Sequence, residues 1–383
     1  MRKSILIFLV VIVAVFSFNE KEIYKKDIRN RLVIQGIGID IEKDNSYTVT
    51  LQTIDTNAQS ATSADGASQP PIKTYKVTGD TIYTTIKSVT EIEGKIPLYS
   101  QNRIIIIGKS ITEEKMDDVI DFFVRDVENS ASVYIAAAKD RASDILEAKN
   151  GGEYVSARSI EIGISANEYD ARIFGTGLYE LINRYNSGSK DFAMPLLDVT
   201  EKEGKQSVEI IGTAIFNNTR YREYMSKEET VYLNFLSDKV YNTAVSFHRN
   251  NGEKVSLNVV DSKTYRTLSF ENGKPTFKIK VKISADIAEI SGGVSKEMTK
   301  QDMSEIKTSA EQNLQKAITQ TRKRLYEEYE SDACGLARLL YILKPSFYRE
   351  NEKNIDSVMQ NSIFEVDIDL KIRRIGHEFI EMV

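Results

Sequence analysis

Two histidines and one cysteine are the side chains of this 383-residue sequence best suited to act as bases, nucleophiles or metal ligands. Cys334 follows the longest predicted helix, His248 lies in a polar stretch and His377 is near the C-terminal end. A cysteine nucleophile needs a histidine base, and zinc needs clustered ligands, but neither histidine has a second ligand at metal-binding spacing. We therefore expect Cys334 to pack as a small apolar side chain and both histidines to lie on the surface or near the terminus.

Other short patterns could suggest phosphate or cation binding. Gly36–Gly38 lacks the third glycine of a nucleotide-binding turn, so a strand bend is expected, and Phe174–Gly177 lacks the P-loop lysine. Asp367 and Asp369 alternate with aliphatic residues, which is typical of a solvated strand face rather than a metal site. The basic run Arg322–Arg324 predicts a hydrated helix face. We assign no catalytic, metal-binding or cofactor-binding residue and expect no cofactor.

Composition excludes several classes of protein. The net charge of −5 gives no basic excess for nucleic acid, and 41% hydrophobic with 28% charged residues is a globular balance, not that of a disordered chain. A single cysteine excludes an internal disulfide framework. Without a nucleophile, base and orienting group in any recognisable arrangement, the residues favour a binding or assembly protein over an enzyme.

The elements that must position these residues follow from apolar periodicity, which predicts both strands and helices. An early hairpin should bury one face, and a strand–helix–strand unit should follow it. Capping boxes at Ser110/Glu113 and Ser226/Glu229 should open two helices. The class is α+β, with mixed and antiparallel sheets, packed helices, and long strands with one long helix in the C-terminal part. The strands are predicted at 33–41, 47–51, 74–78, 103–108, 133–138, 208–216, 256–260, 264–270, 277–285 and 364–372, and the main helices at 82–89, 116–127, 142–149, 178–185 and 301–330.

The chain should divide into two domains after an N-terminal targeting segment. Arg2 and Lys3 precede an almost wholly apolar run, residues 5–18, which is typical of an export signal or a retained membrane anchor. Residues 19–200 form the predicted N-terminal domain, with a flexible loop at 56–71, and residues 201–383 form the predicted C-terminal domain. Further subdivision of the N-terminal domain stays open. The protein is therefore expected to be extracytoplasmic, while cleavage of the N-terminal segment stays open.

A series of short motifs resembles one family in order and spacing over nearly the whole chain. The sequence is similar to the Ger(x)C, or GerAC-like, family, the C subunit of spore germinant receptors. The matching segments are Ser17–Ile23, against a family pattern Cys-Trp-Asp-x-x-Glu-Ile, then Gly36–Asp40, Gly79–Ile82, Ile104–Gly108, Asp121–Asp126, Ile211–Phe216, Asp332 and Phe364–Gly376.

The resemblance implies a function. It indicates a non-catalytic receptor subunit at the outer face of the spore inner membrane, beside membrane-embedded A and B subunits, in nutrient-triggered germination. Ser17 and Phe18 replace the family's lipidated cysteine and its tryptophan, and a hydroxyl cannot replace the thiolate, so no lipid attachment is expected. Attachment would then rely on the apolar segment or on partner subunits. The alternative is an exported solute-binding or cell-envelope binding protein; the germinant, any direct germinant binding and the subunit contacts stay open.

Overall fold

A computed structural model describes residues 31–54, 61–62, 68–69, 72–125, 130, 132–150, 153–186, 190–249, 251–291, 299–375 and 378–379. The apolar N-terminal segment with Ser17, most of the predicted loop at 56–71, and His377 lie outside these residues. Within the described ranges, no helix is both long enough and apolar enough to cross a membrane.

The first half of the chain builds a mixed sheet. Its order is β13-β12-β11-β8-β7-β1-β2-β5, with β6 beside β1, while β3–β4 and β9–β10 form separate short pairs. The four central strands β1, β7, β8 and β11 are parallel and the flanking pairs are antiparallel. The strands are β1 (Arg31–Ile41), β2 (Tyr47–Ile54), β3 (Ala61–Thr62), β4 (Ser68–Gln69), β5 (Ile72–Gly79), β6 (Ile96–Leu98), β7 (Ile104–Ile107), β8 (Tyr134–Ala138), β9 (Lys149–Asn150), β10 (Glu153–Tyr154), β11 (Phe192–Lys202), β12 (Lys205–Asn217) and β13 (Arg220–Ser226).

Helices cover both faces of this sheet. The first core joins one face to α1, α2, α3 and α6, and a second core joins the other face to α4 and α5. The predicted hairpin and strand–helix–strand unit are confirmed, but β2 is buried on both faces rather than one, because helices lie on each side. The helices are α1 (Ile82–Glu93), α2 (Lys109–Glu114), α3 (Met116–Arg125), α4 (Ala142–Glu147), α5 (Ala157–Ser165) and α6 (Leu178–Tyr185).

Gly36 and Gly38 let α4 and α5 approach the centre of the sheet. A Cβ on Gly36 would stand 3.0 Å from side-chain atoms of Ala157 and Leu146, and one on Gly38 would stand 3.1 Å from Leu146. These contacts are tighter than ordinary van der Waals packing. The predicted strand bend is present as a register shift between Ile34 and Gly36, and close helix packing explains the pair of glycines.

Buried polar side chains of β1 and β2 cap these two helices. Asp40 accepts hydrogen bonds from the backbone N–H groups of Ala142 and Ser143, at 2.8 and 2.9 Å, although burial raises its pKa. Gln52 accepts from the N–H of Ala157 at 2.5 Å. Helix N-termini have N–H groups without helical partners, so these contacts fasten α4 and α5 to the sheet.

The second half forms a sheet with the order β14-β15-β16-β17-β18, with α7 and the long helix α8 in its core. The alternating strands predicted at 277–285 and 364–372 are confirmed, and the two strands predicted at 256–260 and 264–270 are one strand with register shifts. A π-helical turn, Arg324–Glu328, follows α8. The elements are α7 (Lys227–Ser237), β14 (Thr243–His248), β15 (Lys254–Glu271), β16 (Lys274–Ser291), α8 (Lys300–Lys323), α9 (Ala337–Leu343), α10 (Pro345–Asn351), α11 (Ile355–Gln360), β17 (Ile363–Ile375) and β18 (Glu378–Phe379).

Two local predictions have different outcomes. Ser226 and Glu229 form the predicted capping box of α7, with both reciprocal hydrogen bonds present. The box at Ser110/Glu113 is wrong, because α2 begins at Lys109 after Gly108 and the Ser110 hydroxyl lies against the backbone of Ile41 instead. A short sequence pattern cannot reveal such a long-range contact.

The predicted domain boundary near residue 201 falls in the hairpin that joins β11 to β12. Both of these strands pair in the first sheet, as does β13. Ala171, Phe174, Ile215 and Met225 also belong to the core of the second sheet. Division of the chain at residue 201 stays a prediction, and the two sheets share packed residues on either side of that position.

Candidate site at the junction of the two sheets

The loop after the π-helical turn binds directly to the first sheet. The Ser331 hydroxyl donates to the carbonyl of Phe216 at 2.6 Å, at the end of β12. The backbone N–H of Asp332 donates to Oδ2 of Asp191 at 2.7 Å, immediately before β11. We call this loop, residues 331–335, the junction loop. Its hydrogen bonds join parts of the chain that are more than one hundred residues apart in sequence.

Asp191 is almost completely buried on the first-sheet side of the junction. Its Oδ1 accepts a hydrogen bond from the backbone N–H of Asn218 at 2.7 Å, so both carboxyl oxygens have N–H donors. Burial raises its pKa well above the usual value, and the charges of Asp332 and Asp356 raise it further, whereas the two N–H groups lower it. Burial and the neighbouring carboxylates therefore act against the two N–H donors at Asp191, and burial has the larger effect on its pKa.

Asp332 organises the other side of the junction. Its Oδ1 accepts from the Tyr326 hydroxyl at 2.5 Å and from the N–H of Ala337 at 2.8 Å, and its Oδ2 accepts from the N–H of Arg338 at 3.2 Å. These last two donors are the first residues of α9, so Asp332 caps that helix. Burial raises the pKa of Asp332, and the positive charge of Arg184 lowers it in part.

Cys334 is fully buried in the junction loop. Its Sγ lies 3.2 Å from the Tyr326 hydroxyl, and burial raises its thiol pKa to about 11. Burial also raises the pKa of Tyr326 well above its usual value. A thiol held protonated in this way is a poor nucleophile, which fits the predicted role of a packed small side chain.

Gly335 provides the close contact between the junction loop and α6. It has φ +81, and a Cβ there would lie 2.4 Å from Nη1 of Arg184. The position needs both the backbone freedom and the missing side chain of glycine. Arg184 thus brings a positive charge from the first half of the chain to the loop that carries Asp332.

A more exposed set of contacts surrounds this buried group. Asn217 donates through its amide to the carbonyl of Glu330 and, at 3.5 Å, to Asp356. Arg222 donates to Oδ1 of Asn217 at 2.9 Å and pairs with Glu330 at 3.3 Å. The ends of β12 and β13 are in this way tied to the segment before the junction loop.

Chemically, the junction is suited to holding two sheets together rather than to transforming a substrate. The Asp191 and Asp332 oxygens accept protein hydrogen bonds, and the thiol is protonated and enclosed. In the described part of the chain no cluster of three or more His, Cys, Asp or Glu side chains could hold a metal. These buried polar groups are costly to separate, so their hydrogen bonds hold the two sheets together.

The structure places the sequence-predicted residues at separate positions. Asp367 and Asp369 lie 3.3 and 3.8 Å from Lys280 of the neighbouring strand, as ion pairs on an exposed face. The Gly175 carbonyl accepts from Lys239 at 2.9 Å, which gives that glycine a structural contact. His248 lies exposed at the end of β14.

The prediction of a hydrated face at Arg322–Arg324 is wrong for Arg322. Arg322 is buried, with its guanidinium 4.6 Å from the ring centroid of Phe364, and Arg324 pairs with Glu229 and Glu328. Only Lys323 is exposed. The error arises because Arg322, in the last turn of α8, packs its guanidinium against the Phe364 ring of β17, a tertiary contact that the charge pattern alone does not show.

Sequence reasoning missed most of the junction. The sequence indicates Asp332 only through the family resemblance, and it contains no pattern that groups this residue with Asp191, Tyr326, Arg184 and Gly335. The one local sign of the junction loop is the pair Ser331 and Asp332, which are residue types common at helix ends and follow directly after the long predicted helix. No pattern links that pair to Asp191, since the two aspartates are 141 positions apart.

Comparisons with known proteins agree with this architecture. Residues 24–199 match the model of a spore germination protein N-terminal domain, and residues 211–376 match that of the spore germination B3/GerAC-like C-terminal domain. The fold and these two matches define a spore germination protein of the α+β class.

Relatives and a solved structure give the same result. The chain is 23% identical to spore germination protein B3 of Bacillus subtilis (strain 168), over 92% of this chain and 93% of that protein. It is 22% identical to spore germination protein KC of the same organism, over 92% and 91%. The fold resembles the crystal structure of the GerBC protein, with a TM-score of 0.57, 20% identity, and coverage of 88% and 96%. The chain belongs to the Ger(x)C, or GerAC-like, family of spore germinant receptor C subunits, which confirms the resemblance noted in the sequence.

Proposed function

We propose that the protein is a non-catalytic subunit of a germinant receptor complex at the extracytoplasmic face of the spore inner membrane. It would act beside membrane-embedded A and B subunits in nutrient-triggered germination. The observation that carries the proposal is the match of both halves of the chain to germination-protein models. The buried Asp191–Asp332 junction supports a role in which the two halves move as one unit.

Purification from spores tests the complex. A tagged chain, expressed from its own locus and extracted in mild detergent, is expected to co-purify with multi-spanning receptor subunits. Spores that carry the untagged chain, taken through the same extraction and purification, serve as the control for nonspecific membrane recovery. Recovery of no multi-spanning protein with the full chain would contradict the proposal.

The mode of attachment to the membrane has its own test. Ser17 stands where the family carries a lipidated cysteine, so the apolar run at residues 5–18 or the partner subunits would hold the protein. We expect the wild-type chain in the spore membrane fraction without added lipid, and Ser17→Cys there with it. Full release of the wild-type chain as a cleaved soluble protein would exclude the N-terminal anchor.

A second candidate, an exported solute-binding protein, is favoured by one groove. It has a volume of about 490 Å³ beside α5 and β12, within the size range of ligand pockets. Its lining combines apolar side chains with an ion pair, including Ile160, Ile210, Asp170 and Arg172. Calorimetry with the nutrients that trigger germination distinguishes the two: tight binding by the isolated chain, without receptor partners, would favour the solute-binding function.

A further inference from the structure

The corner between α9 and α10 exposes an uninterrupted apolar run. Tyr341, Ile342 and Leu343 are 44%, 56% and 53% exposed, and they end α9 immediately before Lys344 and Pro345. Three consecutive large apolar side chains at this exposure differ from the isolated ones that are normal on protein surfaces.

Other side chains already fill the protein core beneath the apolar run. Ala337 and Leu340 already occupy the inward face of α9, and Tyr348 of α10 is buried below the corner, 5.3 Å from the Tyr341 ring. Asp332 caps the start of α9, which fixes the direction of the helix. A helix that is apolar on its outward face as well as its inward face indicates a second apolar environment.

Two further aromatic residues widen this surface. Phe270, at the end of β15, is 36% exposed and meets Phe347 of α10 edge to face at 5.0 Å. The corner is therefore supported by the second sheet. We call the five residues the apolar tip: Phe270, Tyr341, Ile342, Leu343 and Phe347.

Exposed cations flank the apolar run in the sequence. Between residues 333 and 349 the chain has Arg338, Lys344 and Arg349, all exposed, and no carboxylate, although its overall net charge is −5. The neighbouring carboxylate of Glu271 lies 3.9 Å from the Lys278 ammonium, and exposed carboxylates return only from Glu350. Apolar side chains with a cationic border complement the acyl boundary and phosphates of an anionic bilayer.

We propose that the apolar tip inserts into the surface of an anionic membrane, with Arg338, Lys344 and Arg349 at the level of the lipid headgroups. A stable protein interface usually needs about 20 or more residues from each partner, so five residues suit a shallow lipid contact better. The proposal rests on the proposed membrane location, and it adds a second contact point in the C-terminal half. Such a contact would fix the orientation of the second sheet relative to the bilayer.

Depth-sensitive fluorescence on the full chain tests the proposal. Ile342→Cys and Ile162→Cys each carry an environment-sensitive dye; Ile162 is 57% exposed on α5 and is the matched control. Cys334 is buried with a raised pKa, so the native thiol stays unlabelled, and the labelled wild-type chain reports any background. Circular dichroism checks that both variants are folded.

The chain is reconstituted into vesicles of phosphatidylglycerol and brominated phosphatidylcholine. The dye at position 342 is expected to brighten several-fold and to be quenched by the brominated lipid, whereas the dye at 162 is not. Lys344→Gln with Arg349→Gln should shift the equilibrium between inserted and free tip by about fivefold per cation removed. Vesicles without phosphatidylglycerol remove the attraction of Arg338 as well, so a larger shift in the same direction is expected there.

The outcomes separate this proposal from the one on which it rests. Vesicle-bound protein with an unquenched dye at 342 would overturn the lipid contact and leave the membrane location intact. Shielding of the dye only after receptor subunits are added would identify the tip as a protein contact, which also overturns the proposal. If the wild-type chain does not associate with vesicles at all, the lipid contact is overturned, whereas the receptor-subunit proposal is decided by co-purification from spores.

Discussion

Replacing Gly335 with alanine perturbs the junction at its closest contact. At φ +81 an alanine costs about 1–2 kcal/mol, because its Cβ approaches the backbone in the left-handed region. The same Cβ would lie 2.4 Å from Nη1 of Arg184 and force that guanidinium away from the charge of Asp332. Loss of a charge-assisted interaction in a buried site adds about 1–3 kcal/mol. We expect Gly335→Ala to lower the free energy of unfolding by about 2–5 kcal/mol in total.

Gly273→Ala is the matched control. Gly273 has φ +77 in the turn between β15 and β16, and a Cβ there would meet nothing within 4 Å. It should therefore show only the backbone cost of about 1–2 kcal/mol. Urea unfolding, followed by circular dichroism, measures both variants. If Gly335→Ala costs no more than Gly273→Ala, the contact with Arg184 does not stabilise the junction and the reasoning fails. Spores with Gly335→Ala should also germinate more slowly than those with the control.

Three further changes test other parts of the structure. Burial raises the pKa of Asp191 in the folded state, so the stability that this group contributes is complete below its unfolded pKa of about 3.8 and is lost as pH rises through the raised folded pKa. Asp191→Asn should remove this part of the pH dependence. If the free energy of unfolding changes with pH in the same way for the wild type and the variant from about pH 4 to pH 8, the prediction is wrong. Gly38→Val would overpack the β1–α4 contact and should cost about 1–3 kcal/mol in chemical denaturation, whereas no loss would mean that α4 shifts freely. Native Cys334, buried with a pKa raised to about 11, should resist a thiol reagent and react fully in denaturant; rapid native labelling would refute its burial.

The elements with regular apolar periodicity were predictable. The alternation along β16 and β17, the long helix α8 and the Ser226 capping box all depend on local spacing, so the sequence contains their signal. The sequence does not predict strand β11, because a proline at position 195 weakens the local strand signal, although the structure accommodates it in the pairing with β12. The short helices α9, α10 and α11 lack enough turns to show a clear period.

The junction could not be predicted from local pattern. Asp191 binds the N–H of Asp332 across 141 residues of sequence, and nothing near either residue indicates the other. Arg184 and Gly335 meet for the same non-local reason. The family resemblance pointed to Asp332 but not to its partners. A charge pattern likewise does not reveal tertiary packing: Arg322 belongs to a basic run, but it is buried against Phe364.

The order of the strands in each sheet is compatible with assembly of the sheets during synthesis. In the described residues, β7, β8, β11, β12 and β13 each add to the outer edge left by an earlier strand, and β15 to β18 do so in the second sheet. None of these strands needs to be threaded between two others that have already paired. The chain can therefore fold progressively as it emerges. Asp332 lies 141 residues beyond Asp191 in the sequence, so the hydrogen bond between them can form only after the segment that follows α8 has been synthesised.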